Sequence, residues 1–125
     1  MTKVRGIRGA TTATENTKES ILEATTEMLE RLIEANSIEA DDVASAVFTA
    51  TQDLNAEFPA QAARRLGWDH VALMCAHEMA VKDAPAMCIR ALVHINTDKP
   101  AQDLKNIYLR GAEHLRSRGM PSPLG

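Results

Sequence analysis

The sequence predicts an α/β (α+β) domain, residues 1–125, built as one mixed β-sheet with helices on one face. Three observations predict it. Short apolar runs alternate with segments of helical period, in the order strand, helix, strand, short helix, strands, helix. The strand candidates hold too few charged residues to leave a whole sheet face in water. With helices on one face only, the other face then needs a partner, and association through the sheet is the economical solution.

Each element has its own signal. Lys3 to Thr12 (KVRGIRGATT) reads as an extended piece, with Gly6 and Gly9 marking a close backbone approach or a bend. Its GIRG lacks the order and the preceding apolar strand of a phosphate-binding fingerprint. Asn16 as cap, with Glu19 three residues on, opens an amphipathic helix of about five turns. Ile21, Thr25, Met28, Leu29, Leu32 and Ile33 form its apolar stripe, Glu19, Glu23, Glu27, Glu30 and Arg31 its solvated side, and Asn36 its end. Asp41 to Thr51 (DDVASAVFTAT) reads as a buried strand and Asp53 to Glu57 as a polar connection. Pro59 to Leu66 reads as a short helix with Gly67 just past its end. Val71 to Cys75 is a strand that resumes at Met79 to Val81 after His77 and Glu78, and Met87 to Ile95 (MCIRALVHI) is another. Pro100 to about Leu109 is expected to be a second helix, with Leu104, Ile107 and Tyr108 on one face. From Ser117 the tail is expected to be loose.

Composition narrows the function. The hydrophobic fraction of 45% and charged fraction of 25% are those of a globular protein, and aromatics at 3% leave an aliphatic core. A net charge of −3 without a basic stripe argues against nucleic acid as a partner. There is neither a signal-peptide pattern nor an apolar run of bilayer length, so the expected address is the cytoplasm. Cys75 and Cys88 do not form a CxxC pair and are read as reduced thiols. His70, His77, His94 and His114 show no metal-ligand spacing, and no nucleophile elbow, P-loop or HExxH occurs.

The informative residues are polar groups inside apolar runs. Arg90 in MCIRALV reads as a solvated arginine at an edge, as one half of an ion pair with Glu78, or as a functional cation. Glu78 reads equally as a turn residue. Arg8 reads as an exposed strand arginine, Tyr108 as a core-facing residue with its hydroxyl at the rim, and Phe58 as a hydrophobic staple before Pro59. Arg64 and Arg65 on the short helix read as exposed.

Taken in order, RGIRGATT from Arg5, ATQDLNAEFPAQAAR from Ala50, CAHEM from Cys75, CIRALV from Cys88 and YLRGAEHLR from Tyr108 form a pattern that resembles the small monofunctional chorismate mutases of the trimeric α/β class. The likeness runs from Val4 to Arg116. It implies a homotrimer packed through its sheets into a pseudo-barrel, active sites at subunit interfaces, chorismate as substrate and prephenate as product. It implies no metal and no cofactor. Carried over by position, the resemblance makes Arg90 the donor to the breaking ether oxygen, Glu78 the acceptor from the ring hydroxyl, and Arg8 and Tyr108 the binders of a carboxylate. It places Phe58, Ala60, Arg64, Leu73, Met74 and Cys75 in the pocket lining, with Leu115 and Arg116 on the segment that closes it. Gln61 stands where the family often has lysine, Met74 replaces a commoner small polar residue, one residue is missing near Gly67, and LRSRGMPSPLG departs from the usual LRPD. Two other readings share such an interface pocket. One is a metabolite-binding or regulatory protein without turnover, and the other a hydrolase of reactive imines, for which no water-activating group is placed.

Overall fold

The computed structural model describes residues 1–116. Five strands and two helices follow the chain as β1 (Lys3–Thr12), α1 (Lys18–Asn36), β2 (Val43–Ala50), α2 (Ala60–Arg65), β3 (Ala72–His77), β4 (Cys88–Thr97) and β5 (Ile107–Tyr108). Short 3₁₀ turns sit at Ala40–Asp42, Ala101–Asp103 and Arg110–Arg116. The strands form one mixed sheet in the order β3-β2-β4-β1-β5. β4 is antiparallel to both its neighbours, and the β2–β3 and β1–β5 pairs are parallel.

The α1 stripe is buried as its period requires. Ile21, Leu22, Thr25, Met28, Leu29 and Leu32 lie against the sheet. They meet Ile7 of β1, Ala46 and Phe48 of β2, and Ile89, Ala91, Val93 and Ile95 of β4 in one aliphatic core. Gly9 permits this approach: a Cβ there would stand 2.9 Å from Leu32 Cδ1 and 3.1 Å from Met28 Cγ. Gly67, with φ +95°, turns the chain out of α2 as expected. The helix start falls one residue later than Asn16: Thr17 is the cap, and its hydroxyl accepts from the Ser20 N–H at 3.1 Å. Asn16 instead grips the connection before α2, its Oδ1 accepting from the Asn55 and Ala56 N–H groups.

Three further expectations need correction. No helix spans 100–109. After one 3₁₀ turn the chain runs extended and adds β5 to the edge of β1. The spacing of Leu104, Ile107 and Tyr108 imitates a helix face, but the backbone has better partners elsewhere. Buried Asn36 accepts from the Lys105 N–H at 2.7 Å and donates to the Lys105 carbonyl at 2.9 Å, standing in for a neighbouring strand. Met79 to Val81 does not resume a strand; β3 ends at His77 and a turn follows, with the Ala84 N–H bonded to the Val81 carbonyl. Phe58 is no staple: it stands 67% exposed. The tail from Ser117 lies outside the described residues, as does the side chain of Arg116.

Candidate active site

Side chains alternate across a strand, so the residues out of step with the core point to the face that no helix covers. In register, one row crosses that face: Thr49 on β2, Arg90 on β4, Ala10 on β1 and Tyr108 on β5. The adjoining row on the same face holds Val47, Leu92 and Arg8. Arg8 and Arg90 are therefore diagonal neighbours, with Cα atoms about 7–8 Å apart. Ala10, between Arg90 and Tyr108, has too small a side chain to fill the gap. The result is a cavity of about 440 Å³ whose walls include Arg8, Thr49, Glu78, Arg90, Tyr108 and Leu115, within the range of small-molecule sites.

Glu78 reaches this face from the end of β3. Its N–H donates to the Ala50 carbonyl at 2.9 Å, which turns it over the end of β2. The Thr49 hydroxyl donates to Glu78 Oε2 at 2.7 Å, and Arg90 Nε lies 3.5 Å from the same oxygen. The ion pair expected as one reading of Arg90 is thus present. Its side chains are 47% and 22% exposed, so it contributes only about 0–1 kcal/mol to folding. Stability alone does not account for two charges placed there.

The far wall comes from the chain after Tyr108. Arg110, with φ 52°, turns it sharply and pins it: Nε donates to Glu27 Oε1 at 3.0 Å, and Nη1 to the Thr12 carbonyl at 3.3 Å. Leu115 and Ala112 then pack with Ala10, Cys88 and Tyr108 as a second, small apolar cluster. Arg8 is anchored through its backbone, whose N–H donates to Asn106 Oδ1 at 2.8 Å; its guanidinium makes no ion pair among the described residues.

The remaining expected residues lie elsewhere. β3 stands three strand spacings from β1, about 14 Å. Phe58 and Cys75 line a separate depression at that edge with Asn55, Pro59 and His77, and Ala60 borders it through its backbone hydrogen bond with Cys75. Leu73 packs toward the helices, Met74 stands 61% exposed on the open face, and Arg64 is exposed on α2, bonded to Gln61 Oε1 at 2.9 Å. The expected residues thus divide into an arginine group and an edge group. Burial pushes the Cys75 thiol up, outweighing the lowering pull of the Ala60 backbone and Arg64. Burial likewise raises Cys88, against the pull of Arg90. Neither thiol is poised as a thiolate nucleophile.

Sequence reasoning missed Thr49 and Asn106. Thr49 had a signal: alternation with buried Ala46, Phe48 and Ala50 puts it on the opposite face from the core. Asn106 had none, because its role depends on β5 existing.

Two arginines at diagonal positions on one face, sharing a cavity with a carboxylate and a phenol, suit a compact anion that also bears a hydroxyl. The class so defined is a small α/β enzyme that holds and orients an anionic metabolite on an open sheet. Residues 4–118 match the family described as chorismate mutase type I. The chain is 42% identical over 114 residues to chorismate mutase AroH of Bacillus subtilis (strain 168), covering 90% of each chain. It is 45% identical over 114 residues to chorismate mutase AroH of Thermus thermophilus, covering 90% of this chain and 93% of that one. In structure it is similar to chorismate mutase from Clostridium thermocellum, with a TM-score of 0.86 at 46% identity over 88% of this chain and 98% of the other. The chain belongs to the chorismate mutase type I family.

Proposed function

We propose that this chain is a chorismate mutase, an isomerase that rearranges chorismate to prephenate in phenylalanine and tyrosine biosynthesis. The observation that carries the reading is the pair of adjoining rows that sets Arg90 and Arg8 diagonally on one face, with Glu78 at 3.5 Å from Arg90. The reaction is an intramolecular pericyclic shift, so it needs neither a nucleophile nor a proton relay. It needs the dianionic substrate held in a compact conformer, a positioning effect. It also gains from a cation where negative charge develops on the ether oxygen as the C–O bond breaks. Arg90 supplies that cation, Arg8 and Tyr108 hold a carboxylate, and Glu78 takes the ring hydroxyl and faces the positive charge developing on the ring.

The edge group belongs to the same site in this reading, supplied by another copy. Val4 and Leu92 join Met74 as exposed apolar side chains on the open face, which supports a trimer packed through its sheets. The edge group of one subunit then meets the arginine group of the next, with Arg116 beside Leu115 at the closing segment. No helix among the described residues is long and apolar enough to cross a membrane, and we place the enzyme in the cytoplasm.

The test is the loss of chorismate absorbance. Wild-type protein turns chorismate over, and Arg90→Ala lowers the rate by about 10²–10³ or more with an unchanged circular dichroism spectrum. Arg90→Lys keeps the charge, loses the planar fork and remains severely impaired. Near wild-type turnover in Arg90→Ala removes Arg90 from the mechanism, and an inactive wild-type protein overturns the function.

A further inference from the structure

We propose that Thr49 is a positioning residue that holds Glu78 in its working orientation, an inference that rests on the function proposed above. Two successive residues of β2 grip Glu78 at both ends: the Ala50 carbonyl accepts from its backbone N–H, and the Thr49 hydroxyl donates to its carboxylate. The hydroxyl bond, at 2.7 Å, is much shorter than the 3.5 Å approach of Arg90 Nε to the same Oε2. Thr49 therefore sets where the carboxylate lies. Oε2 is occupied on the protein side, and Oε1 accepts no hydrogen bond among the described residues, so it is the oxygen left for the substrate hydroxyl.

The hydroxyl also keeps the two charges from collapsing on each other. A carboxylate free to rotate closes a bidentate fork with a guanidinium. Such a fork would take up Arg90 donors that the substrate needs. Thr49 lies directly opposite Arg90 in the ladder, so its bond holds the carboxylate back on the β2 side. The titratable and charged groups facing Glu78 are Arg90 and Cys88 on β4, Arg8 on β1 and Tyr108 on β5. Among the described residues none of them donates a hydrogen bond to the carboxylate, and Arg90 meets it only as an ion pair.

Valine tests this, because it keeps the branched shape that suits a strand and removes only the donor. For Thr49→Val we expect kcat to fall on the order of tenfold, with a smaller change in KM. In a crystal structure of this variant the Glu78 carboxylate should leave the β2 side and close on the Arg90 guanidinium. Thr49→Ser restores the hydroxyl and should recover most of both effects. Wild-type kcat and an unmoved Glu78 carboxylate in Thr49→Val overturn the proposal, as does a serine variant no better than valine. The position of the carboxylate reads the hold of Thr49 on Glu78 whatever the reaction, whereas an inactive wild-type enzyme strikes only the functional reading.

Discussion

On β4, Ile89, Ala91, Val93 and Ile95 are buried under the helices, whereas Arg90, Leu92 and Asn96, one residue out of step, are exposed. The same contrast holds on β1, where buried Ile7 and Gly9 flank exposed Arg8. One face is closed by α1 and α2, and the other carries the charged site. A slip of one residue would exchange the faces entirely. The core therefore fixes the site without touching it: whatever holds Ile89 and Ala91 in place also aims Arg90. The small covering of the open face, Leu115 and Ala112 over Ala10 and Cys88, sits at one corner and leaves the arginine row accessible.

The sharpest way to break this contrast is to damage the closed face alone. Phe48 is fully buried on β2, next to Thr49 in sequence but on the opposite side of the sheet. Phe48→Ala should cost about 3–5 kcal/mol of stability, read as a drop in urea midpoint, although Phe48 lines no wall of the cavity. Gly9→Ala should cost less, about 1–3 kcal/mol, since Leu32 and Met28 must yield to the new methyl and both are fully buried. Because Arg8 adjoins Gly9, kcat/KM should fall several-fold in the Gly9 variant even below its unfolding temperature; unaltered kinetics would show that the core does not aim the site. Leu92→Ser, on the open face, should change the stability of the folded chain within about ±0.5 kcal/mol. Its effect should appear instead as a smaller assembly than the wild type's in sedimentation, and an unchanged assembly would refute the proposed association through this face.

Most of the fold was legible because most of its signals are local. The α1 stripe and the apolar run of β4 announce themselves by period. The segment 100–109 was misread because its spacing fits a helix, while its true partners are Gly9, Ala10 and the buried amide of Asn36, all distant in sequence. The site was legible in part. Arg90 and Glu78 stand out as charges among apolar neighbours, but that reasoning could not divide the arginine group from the edge group. The division follows from strand order, which places β3 and β1 on opposite sides of the β2–β4 pair. Thr49 escaped notice because threonine in a strand is ordinary until the carboxylate it holds is in view.

The pairing of β1 with β4 joins Lys3 to Thr97, and β5 then closes on β1 from beyond residue 100. The arginine row thus draws on both ends of the chain, and neither end has it alone. During synthesis β1 must wait, unpaired on that edge, until β5 has emerged. Such long closures make folding slower than in a domain built of local contacts. Binding competence should accordingly arise late and all at once, and a fragment ending before β4 should bury part of the α1 stripe yet present no anion site.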